Sequence, residues 1–473
     1  MLTSLVKSVV ASLCRGSNQN EIFAVEPYLQ LGSDSDELRL LWFSAIGRKY
    51  WTAEYRNGSN RPWTAVDVQG GKKKKARLNG LSVRKFSVAL PMNSNAGSCS
   101  ELVEDPQYRI LIDDVPVFSS SFRIPKISDQ SKVVVFGDFG DGNQAALEVA
   151  AAVHERKPEM IVLAGDLVYD HGRISEYLKY FFPVLNADAI HKDIGAPILR
   201  SILTVAAAGN HDVGMPKQSD RLDDKLFSDL FGYFLFWQGA SNGPRLKRTI
   251  IKAMIGKRKK ANQLLADYGK SFLQQTNFSF DWKDQHWIIL DANKYADWSY
   301  PEMQDWLAKD LEAARLQKWK FVVFHQPGFN SDKKYFQEQR MRLVCPILEA
   351  GQVDIVFNGH CHFYERHRPL CYRPDHKEPL TNGTVPGEFV IDYEFDGIVN
   401  TRPKGVLYVV TGASGKLVSV EAKPNEGTLC ASSVVLIDQE HSFTELTFAE
   451  SYLCLNQLGL DGSVLDSVRI DKS

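Results

Sequence analysis

Between residues 24 and 127 short runs of apolar and β-prone residues recur at close spacing, at 27–31, 38–43, 51–55, 85–90, 108–112 and 117–124. Turn-forming groups separate them, such as Asn57-Gly58-Ser59, Gly70-Gly71 and Asp113-Asp114. Short strands at this spacing, over about 100 residues, predict an all-β sandwich. The stretch contains no His, which places any metal chemistry elsewhere.

After a polar linker at 128–132 the pattern changes. Residues 133–136 form a continuous apolar run, as expected of a strand buried on both faces. A helical pattern follows at 144–154, a strand at 160–164, a helix at 175–185 and a strand at 203–208. This alternation predicts an α/β layered fold with largely parallel pairing. Residues 213–270 break the rhythm: they are aromatic near 226–237, then basic from 245 to 260, and read as a partly helical insertion beside the site. Core strands resume at 278–282, 287–290, 321–324 and 354–357. Residues 369–402 read as a long loop, 406–410 as a strand, and the remainder as strand-rich.

Composition narrows the class. The chain has 473 residues, 44% of them hydrophobic, enough for a sizeable core. Its 56 basic and 57 acidic residues nearly cancel, leaving no global electrostatic case for nucleic acid or an anionic membrane. Two basic runs, Lys72 to Lys75 and Lys257 to Lys260, read as solvated faces. Seven cysteines, at 14, 99, 345, 361, 371, 430 and 454, contain no Cys-x-x-Cys pair, leaving room for one or two disulfides but no disulfide framework. Residues 1–23 read as a tail or weak export signal, and no apolar stretch is long enough for a transmembrane helix.

Five short motifs each follow a predicted strand. They are Gly137-Asp138-Phe139-Gly140, Gly165-Asp166-Leu167-Val168-Tyr169, Gly209-Asn210-His211-Asp212, His325 after Val322-Val323-Phe324, and Gly359-His360-Cys361-His362. The carboxyl ends of strands are where α/β folds build their sites, and a Gly there lets the chain turn sharply. Asp and His are ligands for first-row metals; Asn and Tyr can join them. Singly each motif is weak, but all five in this order make coincidence improbable.

On these motifs the chain resembles the calcineurin-like metallophosphoesterases and, within them, the purple acid phosphatases. Gly165 to Tyr169 matches that branch's Gly-Asp-x-x-Tyr, and Phe363-Tyr364-Glu365-Arg366 continues the His360-Cys361-His362 motif in its manner. The resemblance implies a four-layer metallophosphoesterase β-sandwich flanked by helices over 130–473, preceded by a fibronectin type III-like domain at 24–127. It implies one metal held by Asp138, Tyr169 and His362, a second by Asn210, His325 and His360, and Asp166 bridging both. Phenolate and carboxylates suit Fe(III); the other set suits Zn, Mn or Fe(II). His211 would contact the phosphate and protonate the leaving group, and Asp212 would orient His211.

The implied function is hydrolysis of a small phosphate monoester by attack of a metal-bound hydroxide. The alternatives are a phosphodiesterase or nucleotide hydrolase on the same scaffold, or a non-catalytic binding protein. One departure stands out. Plant members carry another substrate-facing His shortly after the motif ending in His325, whereas here Gln326-Pro327-Gly328-Phe329-Asn330 follows and the next His is His360. Relatives of this kind are usually secreted, vacuolar or periplasmic, and Asn57, Asn277 and Asn382 each begin a glycosylation triplet.

Overall fold

Apolar residues run without interruption through several strands because both faces of each strand are covered. The computed structural model describes residues 22–32, 37–47, 50–70, 77–78, 81–92, 104–124, 131–213, 232–255, 273–417 and 430–472. The amino-terminal tail, both lysine runs, most of the linker at 128–132, much of the insertion, Cys14 and Cys99 lie outside the described residues.

The amino-terminal part is β-rich. Strands β1 (Val25–Leu31), β2 (Glu37–Ser44), β3 (Trp51–Arg56), β4 (Arg84–Pro91), β5 (Gln107–Ile112) and β6 (Val115–Ser121) coincide with the six predicted runs. With two short strands they form two four-stranded antiparallel sheets, one carrying β1, β2 and β4, the other β6, β5 and β3. Trp42, Phe86 and Trp51 pack together in this region, the Trp42 and Phe86 rings stacked at 5.5 Å.

Two larger sheets follow. Their elements are β7 (Ser131–Phe136), α1 (Gln144–Glu155), β8 (Met160–Leu163), β9 (Leu203–Ala206), β10 (Phe278–Trp282), β11 (Gln285–Ile289), α2 (Pro301–Ala313), β12 (Trp319–Val323), β13 (Ile355–Asn358), β14 (Tyr364–His367), β15 (Leu407–Thr411), β16 (Ser433–Ile437), β17 (Ser442–Phe448), β18 (Tyr452–Gly459) and β19 (Val464–Asp471). The first sheet has the order β9-β8-β7-β17-β18-β19, with β7, β8 and β9 parallel. The second has the order β10-β11-β12-β13-β15-β14-β16, with β11, β12, β13 and β15 parallel.

Strand periodicity divides the core. Val133, Val135 and Val162 share one cluster with Trp287, Phe321, Val323 and Phe357, filling the space between the sheets. Their neighbours Val134, Phe136 and Ile161 belong to another, with Val149 and Val153 of α1, and Ile288 and Val322 with Met303 and Leu307 of α2. The result is a two-sheet sandwich with helices on its outer faces. Each buried Val, Ile, Leu or Phe contributes about 1.5–3 kcal/mol. Helix α1 starts where Asn143 Oδ1 accepts the Ala146 N–H at 3.0 Å, an N-cap.

One expectation is corrected. The long loop at 369–402 contains an antiparallel hairpin, Leu370–Pro374 with Gly387–Ile391. Its second strand alternates between half-buried and exposed residues, so it carries no continuous apolar run. The five described cysteines, Cys345, Cys361, Cys371, Cys430 and Cys454, are free thiols and form no disulfide. In the insertion, Gly232–Phe236 is helical and touches both sides: Tyr28 Oη (2.8 Å) and Gln30 Nε2 (2.6 Å) donate to the Phe236 carbonyl, while Gly232 N donates to the Gly172 carbonyl (2.9 Å) and Tyr233 Oη to the Ala206 carbonyl (2.7 Å) near the strand ends that carry the site.

The edge of the second sheet is tied to α2 by a charge clamp. His286 on β11 bonds Asp281 at 2.6 Å and Asp310 of α2 at 3.0 Å. Burial opposes a charge on this imidazole, but the two carboxylates outweigh it and push its pKa up to about 9. A His raised in the folded state stabilises fully below its unfolded value, roughly 6.5, and loses that stability as pH rises through the folded value. Urea unfolding should show the native protein losing on the order of 3 kcal/mol from this clamp between pH 6 and pH 9.5. His286→Gln should remove that component of the pH dependence; an identical pH profile in the variant would contradict the clamp.

Candidate metal centre

The five motifs leave the carboxyl ends of five strands. Asp138 follows β7, Asp166 follows β8, Asn210 and His211 follow β9, His325 follows β12, and His360 and His362 follow β13. Parallel pairing within each sheet brings these ends to one edge of the sandwich. Asp138, Asp166 and His360 adopt φ values of 60°, 50° and 71°, the left-handed region that Asp and His tolerate better than most residues but still at a cost. Gly165 has φ 90°, and a Cβ there would lie 2.6 Å from His325 Nδ1. The turn after β8 therefore needs Gly both for its backbone and for the imidazole packed on it.

Peptide N–H groups hold the two carboxylates. His360 N donates to Asp138 Oδ2 at 2.8 Å, and His211 N to Asp166 Oδ1 at 2.9 Å. Each acid is thus fastened by the backbone of a different motif, leaving its second oxygen directed to side chains. Donor atoms of Asp166, His325 and His360 all lie within 4.8 Å of one another, with His325 Nε2 3.1 Å from Asp166 Oδ2. Tyr169 Oη is 3.1 Å from Asp138 Oδ1 and 3.2 Å from His362 Nε2, and His362 Nε2 is 3.5 Å from Asp138 Oδ1. His325 Nε2 stands 4.0 Å from Asp138 Oδ1, so the two groups adjoin. Asn210 is buried at the same edge.

Two imidazoles have their tautomers set by carbonyls. His325 Nδ1 bonds the Ala164 carbonyl at 2.8 Å, and His211 Nδ1 bonds the Asp170 carbonyl at 2.7 Å. A carbonyl only accepts, so Nδ1 carries the proton and Nε2 is the working nitrogen in each ring. The electrostatics agree with a site built for positive charge. Burial disfavours the Asp166 carboxylate, yet His325 and His211 hold its pKa well below the ordinary range. Burial likewise opposes a charged His325, but Asp166 and Asp138 push it up to about 10. Burial, with Asp138 and Asp166 adding repulsion, raises the Tyr169 phenol far above its usual value, so it ionises only beside a strong cation.

The donor set fits metal ions. Two carboxylates, three imidazoles and a phenol share a buried crevice, and the buried His360 Nε2 makes no hydrogen bond among the described residues, with Glu338 3.5 Å away and Asp166 also near. Such a nitrogen is costly unless something accepts or supplies charge there.

Asp212 plays another part than the one expected. Its carboxylate accepts from Leu167 N (3.0 Å), Gly209 N (2.9 Å) and Tyr177 Oη (3.0 Å), and it is fully buried. It joins the β8 and β9 turns to one another, while the Asp170 carbonyl holds the His211 ring. Burial, with Asp166 nearby, pushes the Asp212 pKa up to about 7. Three residues were not anticipated. Glu338 faces His360; the Tyr335 ring lies on His360 at 3.9 Å; and the exposed Lys416 ammonium sits 5.1 Å over the Tyr169 ring. Tyr335 lies in the stretch between β12 and β13. None of the three belongs to a motif, and only the closure of the loops over the strand ends brings them in.

The sequence model of the calcineurin-like phosphoesterase family matches residues 131–364. Purple acid phosphatase 18 of Arabidopsis thaliana is 37% identical over 94 residues, 19% of this chain and 21% of that protein. Purple acid phosphatase 15 of the same plant is 22% identical over 314 residues, 62% of this chain and 47% of that protein. The chain thus spans about a fifth to a half of the length of these relatives. A solved purple acid phosphatase, PPD1 from yellow lupin (Lupinus luteus) seeds, has the same fold, with a TM-score of 0.59, 18% identity, and coverage of 94% of this chain and 74% of that one. Residues 131–364 thus form a calcineurin-like phosphoesterase domain, and the chain is a purple acid phosphatase-like metallophosphoesterase.

Proposed function

We propose that the chain is a dinuclear-metal phosphatase that hydrolyses a small phosphate monoester. The observation that carries this reading is the adjacency of two donor groups across two buried carboxylates, with one exposed-side imidazole, His211, beside them. Asp138, Tyr169 and His362 would hold one ion, Asn210, His325 and His360 the other, and Asp166 would serve both. The phenol and carboxylates favour Fe(III); the nitrogen-rich set favours Zn, Mn or Fe(II). When bound, the two cations supply Lewis acidity and a water acidic enough to be deprotonated near neutral pH.

The protein's own groups complete the reaction. His211 Nε2 stands 3.8 Å from Asp166 Oδ2, and its ring is 19% exposed, so it faces the cleft while its other nitrogen is tied down. It is placed to contact a phosphoryl oxygen and, as imidazolium, to give the Nε2 proton to the departing alkoxide. Asp166 stabilises that imidazolium. Tyr335 and Glu338 narrow the cleft beside His360.

The same reading takes 24–127 as a fibronectin type III-like domain and 130–473 as the catalytic domain, in line with the two antiparallel sheets that precede β7. It also favours export. Asn57 and Asn382 are exposed, whereas Asn277 is buried and unsuited to a glycan. No helix of the described residues is long and apolar enough to cross a membrane.

The test is steady-state turnover of para-nitrophenyl phosphate against its bis ester. The monoester should have the higher kcat/KM, and His211→Ala should lower kcat by about 10²–10⁴-fold with metal content retained. Preference for the bis ester, or an undiminished kcat in the variant, would overturn the assignment.

A further inference from the structure

At the opposite end of the strands that carry His325 and His360 the protein has a solvent-open cavity of about 580 Å³. It opens at the amino ends of β12 and β13, where Lys320 and Asp354 stand. Lys320 and His325 are five residues apart, so about 16 Å of extended strand separates the cavity from the candidate metal centre.

Five cations line it: Arg315, Lys318, Lys320, Arg402 and Lys472. Three carboxylates do too, but each is engaged. Asp354 Oδ2 accepts from Lys320 N at 2.9 Å and from Lys472 Nζ at 2.6 Å. Asp471 accepts from Arg469 Nε at 2.6 Å and Thr401 Oγ1 at 2.7 Å. Glu349 accepts from Tyr372 N at 2.5 Å and Arg373 Nη1 at 3.4 Å. Lys318 and Lys472 are in turn fixed by the carbonyls of Glu450 and Lys318.

Lys320 is different. It is 3% exposed, and its ammonium makes no hydrogen bond among the described residues. Burial, with Lys472 nearby, weakens its hold on a proton. Arg402, exposed at the rim, likewise makes no hydrogen bond through its guanidinium among the described residues. An ammonium that reaches the wall of a cleft with no hydrogen-bond partner of its own leaves its donors free for an anion. Several ammonium and guanidinium groups around a space large enough for a metabolite match the oxygens of a phosphorylated molecule.

We propose that this cavity is a second binding site, separate from the metal centre, for a small phosphate-bearing polyanion, with Lys320 as its inner contact and Arg402 as its rim contact. The site is built on strands β12 and β13 and on the carboxyl-terminal strand β19, all part of the rigid sandwich, so it is present before the ligand arrives. The inference does not depend on the phosphatase reading.

Calorimetric titration of the purified full chain with methylenediphosphonate, an unhydrolysable diphosphate mimic, tests it. Native protein should bind at two sites, one at the metal centre and one in the cavity. His360→Ala should retain the cavity site. Lys320→Met should lose it with kcat/KM for para-nitrophenyl phosphate unchanged, and Arg402→Ala, at an exposed position that leaves the fold intact, should weaken it about tenfold. A single site that vanishes in His360→Ala would overturn the proposal, as would a cavity affinity unchanged in Arg402→Ala.

Discussion

Two carboxylates, Asp138 and Asp166, are buried at neighbouring strand ends, and the rest of the site is arranged so that they can stay charged. Removing such groups from water costs several kcal/mol each unless hydrogen bonds and opposite charges replace the lost hydration. The backbone supplies part of the replacement, through the N–H groups of His360 and His211. Imidazoles supply more, above all His325 beside Asp166. The left-handed turns at Asp138, Asp166 and His360 are the conformational cost of aiming these groups inward. Metal cations are the remaining partner that the donor set is shaped to receive.

That arrangement depends on the sandwich beneath it. Parallel pairing of β7 with β8 and β9, and of β12 with β13, places five motifs from distant parts of the chain at one edge. Asp212 then braces the β8 turn against the β9 turn. Its third bond runs to Tyr177, whose ring meets Phe236 at 5.2 Å, and the Phe236 carbonyl is held by Tyr28 and Gln30 of the amino-terminal sheets. A continuous set of contacts therefore links the β-rich amino-terminal region to the turns that carry Asp166 and His211.

Much of this was legible because buried strands announce themselves. The apolar runs at β7, β8, β9, β12 and β13, each followed by Gly, Asp or His within a few residues, marked both the sheet and the strand ends. The hairpin at 370–391 escaped because its second strand is half solvated and carries no apolar run. Asp212 does not orient His211, because the turn sends its carboxylate toward Leu167 and Gly209. Glu338, Tyr335 and Lys416 lie in segments without periodicity, and only three-dimensional closure sets them beside His360 and Tyr169.

The central claim is that two metal ions sit at these strand ends, one of them an Fe(III) bound to Tyr169. Elemental analysis together with the visible absorption spectrum of the purified chain tests it most directly. The account predicts two metal ions per chain, at least one of them iron, and a tyrosinate charge-transfer band that disappears in Tyr169→Phe. Metal content well below one ion per chain, or a band that survives in Tyr169→Phe, would contradict it.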